Sequence, residues 1–555
     1  MKIAVLNVTY QLKPTLEPLG AEQAICIFEE AGFETLFYAS SLHGAFGDEF
    51  VERVMSCDGV MFAGISNVRD ILDQFYERRD EIASTLRAKG YKGFIVATGH
   101  QASLKPEQTL TACSVIDAVI VGDPDVAARE MVQRLQKSLP LKGVLLPEVV
   151  TSASQLNPAN AWQNHGYVDI ATRRPYLEEL AATHNPHMLA AVVETSRGCS
   201  HGRCTFCSTA ALIQAGLKAH CALKPVGIIV QEMEFIHRTY NVSRFIMEDD
   251  FAAPPTPSGA RRLKELAQLI ENLPFRIEYS IVIRPDAITD ETRPIFEDLR
   301  DSGLVLLYLG IESFNENDLQ LYGKNIAYDK MLRGIDIAQD LGYKMDISSR
   351  YRIKPGLMPF HPYTTLEGIK KQSPYLASYA ITPVKMIAEV ELYPGTPLYA
   401  QAAEDGLLAP GTRSGFHYKH PEVELFNASM RNCLRAMNKP RKRIRNMEKT
   451  VQGFGLDSAF TADIRACRKR MESLFANAYE DLLEMCLLHP TEAAIRERAA
   501  AHHDLIAGYV ASNEVVQAID DAWRRIANSL RAYYPDVTPE TDVSFSRPCW
   551  FPVIH

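Results

Sequence analysis

Glu194–Ala211, ETSRGCSHGRCTFCSTAA, places Cys199, Cys204 and Cys207 within nine positions of a chain that holds only 11 cysteines in 555 residues. The stretch follows the apolar run MLAAVVET, so the three thiols sit on a loop leaving a strand. The spacing is Cys-x4-Cys-x2-Cys. Thiolates hold iron–sulfur clusters, and a loop with three of them leaves one iron of a [4Fe–4S] cluster without a protein ligand. Such an iron suits binding and activating a small molecule rather than plain electron transfer. Gly198 and Gly202 let the backbone wrap tightly around the thiols. The alternative is structural zinc, which wants four ligands. Cys221 with His201 or His220 could complete that set, but the spacing matches none of the usual paired zinc patterns. The iron–sulfur reading is preferred.

Working outward from the loop, strand-like runs alternate with helical stretches on both sides. After it come RFIMEDD, RIEYSIVI, LVLLYLGIES, KMDISSRYRI and VKMIAEVELYP, which with MLAAVVET make six repeats over residues 186–404. This predicts a partial, open (β/α)6 barrel. Before it, residues 1–137 hold five short apolar runs: KIAVLNV, TLFYAS, GVMFAGIS, GFIVATG and DAVIVGD. Val/Ile-rich runs separated by amphipathic helices imply a parallel sheet covered on both faces. This predicts an α/β, flavodoxin-like doubly wound domain whose ligands sit beyond the carboxyl ends of its strands. Residues 138–185 break the pattern and are expected to be a linker. Residues 405–555 lack strand signals and predict a mainly helical region.

A net charge of −9 argues against a nucleic-acid partner, which would want a basic face. The opening MKIAVLNVTYQ has no signal-peptide pattern, and no apolar run approaches the roughly 18 residues of a membrane span. The expectation is a cytoplasmic protein, where clustered cysteines bind metal or do chemistry rather than pair.

These residues resemble the radical S-adenosylmethionine (SAM) superfamily. TSRGCSHGRCTFCS at the first strand end resembles its cluster loop, GIES at Gly310–Ser313 its fourth-strand motif, MEDDF at Met247–Phe251 its second-strand end and YPGTPLY at Tyr393–Tyr399 its sixth. A doubly wound domain ahead of the barrel resembles the cobalamin-binding subclass. The resemblance implies that Cys199, Cys204 and Cys207 hold a [4Fe–4S] cluster whose open iron chelates the methionine end of SAM. One electron, from an external flavodoxin- or ferredoxin-type reductant, then cleaves a carbon–sulfur bond to give a 5'-deoxyadenosyl radical. Phe206 is implied beside the adenine, with Glu312 and Ser313 at the ribose or methionine end. Asp249 and Asp250 face the cavity or cap the following loop. Cobalamin is implied over the strand ends carrying Ser66 and Asn67, Gly99 and His100, and Gly122. No Asp-x-His-x-x-Gly motif supplies a histidine below cobalt.

Two departures stand out. Four residues rather than the commoner three separate the first two cysteines, and the fifth strand ends in SSRYRIKPGLMPFHP rather than a GxPGET-like sequence. Arg350 and Arg352, two apart on a regular strand, would point the same way and suit a carboxylate on SAM or substrate. Cys433 and Cys549 are further candidates for a thiol at the cavity. Methylthiotransferases share the domain order, but Cys26, Cys57 and Cys113 do not form a second cluster loop and the C-terminal region is not a small β-barrel. The implied activity is cobalamin-dependent methylation of an unactivated carbon or phosphorus of a small molecule. The alternatives are a cobalamin-independent radical SAM reaction, such as cyclisation, rearrangement or another group transfer, and a non-catalytic corrinoid or cluster sensor or carrier.

Overall fold

Successive residues of the first apolar run belong to opposite faces, and both faces are buried. Ile3 and Val5 join one hydrophobic core while Ala4 and Leu6 join another. A strand so enclosed cannot be an edge, and the computed structural model places it inside a parallel sheet. The structure describes residues 1–9, 18–41, 48–63, 73–147, 173–183, 189–218, 220–247, 251–346, 348–410, 415–453, 455–488 and 491–531. The first sheet contains β1 (Lys2–Thr9), β2 (Glu34–Ser41), β3 (Gly59–Phe62), β4 (Phe94–Ala97), β5 (Ala118–Ile120) and β6 (Gly143–Leu145). Their order is β2-β1-β3-β4-β5-β6, with all pairings parallel. This is the doubly wound arrangement expected, extended by β6 from within the stretch read as linker.

That stretch also contributes the helix Pro175–Thr183. Glu22, on the helix Leu19–Glu30 of the first domain, accepts hydrogen bonds from the amides of Tyr176 and Leu177 at 2.7 and 3.1 Å. The preceding Arg174 is fully buried, pairs with Glu232 on the helix Val226–Tyr240, and donates to the Val192 carbonyl at 2.9 Å. One carboxylate at the amino end of this helix and one guanidinium just ahead of it therefore tie the first domain to the barrel.

The barrel starts with β7 (Ala191–Val193), which leads into a short antiparallel pair, β8 (Ser196–Gly198) and β9 (Cys221–Leu223). It continues with β10 (Arg244–Met247), β11 (Glu278–Ile283), β12 (Leu304–Glu312) and β13 (Arg352–Leu357), giving a parallel sheet ordered β13-β12-β11-β10-β7. Two expected strands come out differently. The fifth begins only at Arg352, because Asp346 accepts from the Ser348 amide at 3.0 Å and closes a turn inside KMDISSRYRI. The sixth is reduced to a single parallel bridge between Phe360 and Glu389. There Pro383 follows Thr382 and starts a helical turn, Pro383–Met386, that takes up the first three residues of the run.

The described residues of the C-terminal region include the helices Pro421–Gly453, Ala462–Leu487, Glu492–Val510 and Asn513–Leu530. Tyr418 donates to Glu389 Oε1 at 2.6 Å, and Asn427 on the first of these helices does so at 2.9 Å, which fastens the helical region to the bridge residue. No described helix is long and apolar enough to cross a membrane.

Candidate functional site

The three cysteines lie at the carboxyl end of the barrel strands. Cys199 follows β8, and Cys207 caps the helix Ser208–Gln214. Gly198 and Gly202 have φ of 74° and 54°, the left-handed region that glycine enters without strain, and these two turns fold the loop back on itself. The loop is clamped from two sides. Thr205 donates its amide to the Tyr322 carbonyl at 3.0 Å and its hydroxyl to the Leu321 carbonyl at 2.7 Å. On the other side Leu398, in the YPGTPLY segment, donates its amide to the Thr205 carbonyl at 2.9 Å. His201 places Nε2 2.7 Å from the Gly323 carbonyl, so its ring buttresses the loop. Cys221 sits in β9 opposite Gly198. Among the described residues no three Cys, His, Asp or Glu side chains converge on one ion position.

All three thiols are partly exposed and none is in a disulfide. Burial pushes the Cys204 thiol up to about 11, against the pull of the Lys324 ammonium. It therefore keeps its proton near neutral pH until a cationic metal displaces it. Three soft donors on one clamped loop fit an iron–sulfur cluster.

Glu312 ends β12 with φ of 65°, an unusual conformation for a residue with a side chain, and the β12–β13 register shifts there. The carboxylate meets Lys324 Nζ at 2.8 Å. Burial is the largest single influence and lowers the Lys324 ammonium, but the charge of Glu312, its hydrogen bond and Cys204 together turn the net direction upward. A Cβ on Gly310 would stand 2.8 Å from Lys324 Nζ and 2.9 Å from Glu312 Oε1, so the glycine of GIES makes room for this pair. Arg284 donates to the Lys324 carbonyl at 3.1 Å and is itself held by Asp286 at 2.7 Å. Phe206 packs edge-on against Tyr322, with ring centroids 5.0 Å apart. Phe206 thus stands within the cysteine loop and Glu312, through Lys324, beside it. Lys324 carries no motif that would reveal it; its only signal is its position 12 residues past Glu312.

A second charged group joins this loop to the first domain. Arg197 of β8 makes a two-oxygen contact with Asp125 at 3.0 and 3.1 Å, and its other nitrogens reach Glu194 at 2.5 and 2.9 Å. Asp123 takes Lys218 at 3.7 Å and His100 at 3.5 Å, and against its burial the Lys218 ammonium, the hydrogen bond with His100 and the Arg197 guanidinium hold its carboxyl well below the usual range. Behind them the ends of β4 and β5 are laced together. Gly99 and Gly122 have φ of 96° and 127°, and the Gly99 amide donates to the Gly122 carbonyl at 3.2 Å. His100 Nε2, 3.1 Å from Lys218, belongs to this network. The helix His100–Leu104 packs on the helix after Cys207, and Lys105 lies 5.3 Å over the Tyr399 ring. The carboxyl ends of both sheets therefore face one another, with glycine backbone on one side and thiols on the other.

Other expected residues lie elsewhere. Ser313 is fully buried and its hydroxyl sits 2.7 Å from Asp318 and 3.0 Å from Gln372, inside the fold rather than at the loop. Arg350 and Arg352 do not share a direction or a site with the cysteines. Arg350 lies before β13 with its side chain 67% exposed, Arg352 starts β13 and is buried, and both are at the amino end of the strands. Cys433 is sealed in the helical region, its Sγ 3.9 Å from the Ala499 carbonyl and its thiol pushed up to about 11 by burial. Ser66, Asn67, Asp249, Asp250 and Cys549 lie outside the described residues.

A parallel barrel with three thiols on its first strand-end loop, preceded by a doubly wound domain, defines a class of cluster-binding α/β proteins. Residues 193–357 match the radical SAM superfamily, and the chain carries a radical SAM domain. That domain implies a [4Fe–4S] cluster and SAM. The chain is 24% identical over 320 residues to an uncharacterized methyltransferase of Pyrococcus horikoshii, covering 57% of this chain and 64% of the relative. It is 23% identical over 343 residues to the hopanoid C-3 methylase of Methylococcus capsulatus, covering 60% of each. The chain thus spans somewhat under two thirds of both relatives. Among solved structures, the cobalamin-dependent SAM radical enzyme OxsB with aqua-cobalamin and SAM bound superposes with a TM-score of 0.65 at 14% identity, over 96% of this chain and 80% of that one. The radical SAM methyltransferase TsrM of Kitasatospora setae gives 0.56 at 15% identity, over 74% and 78%. At such identities the likeness is one of fold.

Proposed function

We propose that this protein is a cobalamin-dependent radical SAM methyltransferase acting on an unactivated carbon or phosphorus of a small molecule. The observation that carries the reading is the apposition of the cysteine loop and the glycine-bearing ends of β4 and β5 across the Arg197–Asp125 and Lys218–Asp123 contacts. Methyltransferase and methylase relatives, and a fold shared with cobalamin-dependent SAM radical enzymes, support it.

When bound, the cluster supplies an electron to SAM and cobalamin supplies a methyl carrier. The chain's own residues bind and orient. Cys199, Cys204 and Cys207 are the cluster ligands. Phe206 and Glu312 flank SAM, with Lys324 fixing the Glu312 carboxylate. Gly99 and Gly122 expose backbone where a bulky corrinoid can approach. The electron comes from a soluble flavodoxin- or ferredoxin-type donor in the cytoplasm.

Reconstitution of the anaerobically purified chain with iron, sulfide and hydroxocobalamin tests this directly. About four irons and one cobalt per chain are expected, with iron lost in Cys204→Ala and 5'-deoxyadenosine released on reduction with SAM. Iron without cobalt would move the reading to cobalamin-independent radical chemistry. Both metals without 5'-deoxyadenosine would leave a sensor or carrier.

A further inference from the structure

The amino end of the barrel holds a cleft of about 440 Å³ that the proposed reaction does not use. Arg244, Arg276, Arg300 and Arg350 reach it from four separate segments: the start of β10, the approach to β11, the helix Arg293–Ser302 and the approach to β13. Two carboxylates line it. Asp301 is taken by its neighbour Arg300 at 3.0 Å. Glu278 is left to serve Arg244 and Arg350, each at 3.6 Å, and also the buried Arg352 behind them. Four guanidiniums against two carboxylates leave the lining with positive charge in excess, in a chain whose overall charge is −9. Arg276, on the rim, has no ion pair or hydrogen bond among the described residues, and Arg350 is mostly exposed.

We infer that this cleft is a second ligand site, for a small molecule bearing phosphate groups. Guanidinium forks match phosphate oxygens two at a time, and a tetrahedral group can take forks from several directions at once, where a planar carboxylate is satisfied by one or two. The volume suits a small metabolite rather than a polymer. The cleft opens at the end of the strands opposite the cysteine loop, so its ligand is not the substrate undergoing chemistry. Its occupancy would neutralise the arginine cluster that joins β10, β11 and β13, the strands whose other ends frame the reacting site.

Calorimetric titration of the full, cluster-loaded chain with inorganic pyrophosphate at low ionic strength tests the site without requiring turnover. Saturable binding at one site per chain is expected, weakened tenfold or more in Arg276→Ala/Arg350→Ala, with iron content unchanged. Both residues lie on the rim rather than in the core, and Arg276→Lys should recover part of the loss. Absent binding, or binding equal in the double variant, overturns the site. Malonate binding as tightly as pyrophosphate overturns the phosphate class. Because the readout is binding, failure here leaves the methyltransferase reading intact, and failure of that reading leaves this site intact.

Discussion

The two ends of the barrel are both rich in charge, and they are balanced in opposite ways. At the carboxyl end the buried cations around the cysteine loop have carboxylates close at hand: Lys324 has Glu312, Arg284 has Asp286, and Arg197 has Asp125 and Glu194. At the amino end four arginines line the cleft against Glu278 and Asp301 alone. Internal pairing fixes geometry before any ligand arrives, as a site that must orient reactive groups requires. A surplus of one sign invites a counter-ion. The first end is organised to hold its own residues in place, the second to hold something else.

The contrast can be broken most forcefully at Arg197. Replacing it with alanine leaves Asp125 and Glu194 facing each other without a guanidinium, and a buried pair broken in this way loses about 3–5 kcal/mol. Urea denaturation should show this, with Arg197→Lys recovering only part because an ammonium cannot reproduce the two-oxygen contact. A loss under about 1 kcal/mol would mean that the carboxyl end is not internally balanced. Gly310→Ala is a gentler probe. The new methyl group displaces Lys324 and Glu312, at about 1–3 kcal/mol, and SAM affinity of the reconstituted protein should fall about tenfold. Unchanged affinity would separate the Glu312–Lys324 pair from SAM.

The smallest effect is expected at the amino end, and it sharpens the contrast. Burial lowers the Arg352 guanidinium to about 10, below its unfolded value, so the fold disfavours its charge and removing that charge removes a penalty. Glu278 keeps Arg244 and Arg350 as partners. Arg352→Met should therefore lie within about 1 kcal/mol of the parent in chemical denaturation, or above it. A loss comparable to that at Arg197 would show that the contacts Arg352 makes outweigh the burial of its charge.

The parallel sheets were legible because strands buried on both faces read as unbroken apolar runs, as in KIAVLNV and LVLLYLGIES. The cysteine loop and GIES were legible because their chemistry depends on local spacing. The features that escaped depend on distant partners or on turns inside apolar runs. KMDISSRYRI reads as a strand, but a side-chain-to-backbone bond at Asp346 stops it, and that moved Arg350 and Arg352 to the wrong end. VKMIAEVELYP has strand composition, yet Pro383 redirects its start. Ser313 sits in the right motif and turns inward because Asp318, Gln372 and His361 form a buried polar group around it. Lys324, Arg197 and β6 acquire their roles only through contacts that no local pattern encodes.

The helix Pro175–Thr183 bears on how the chain is made. Its amino end leans on Glu22, 154 positions before Tyr176, while Arg174 needs Glu232, 58 positions ahead. As the polypeptide leaves the ribosome, the first sheet through β6 can close before any of the barrel exists. The helix then has one anchor and lacks the other until Glu232 emerges. During that interval the Arg174 guanidinium has Glu22, at 4.0 Å, as its carboxylate, and the arrival of Glu232 adds the second. Synthesis thus completes the joint between the domains only after the barrel has begun to emerge, and a chain stopped short of Glu232 would lack one of the ties between the first domain and the barrel.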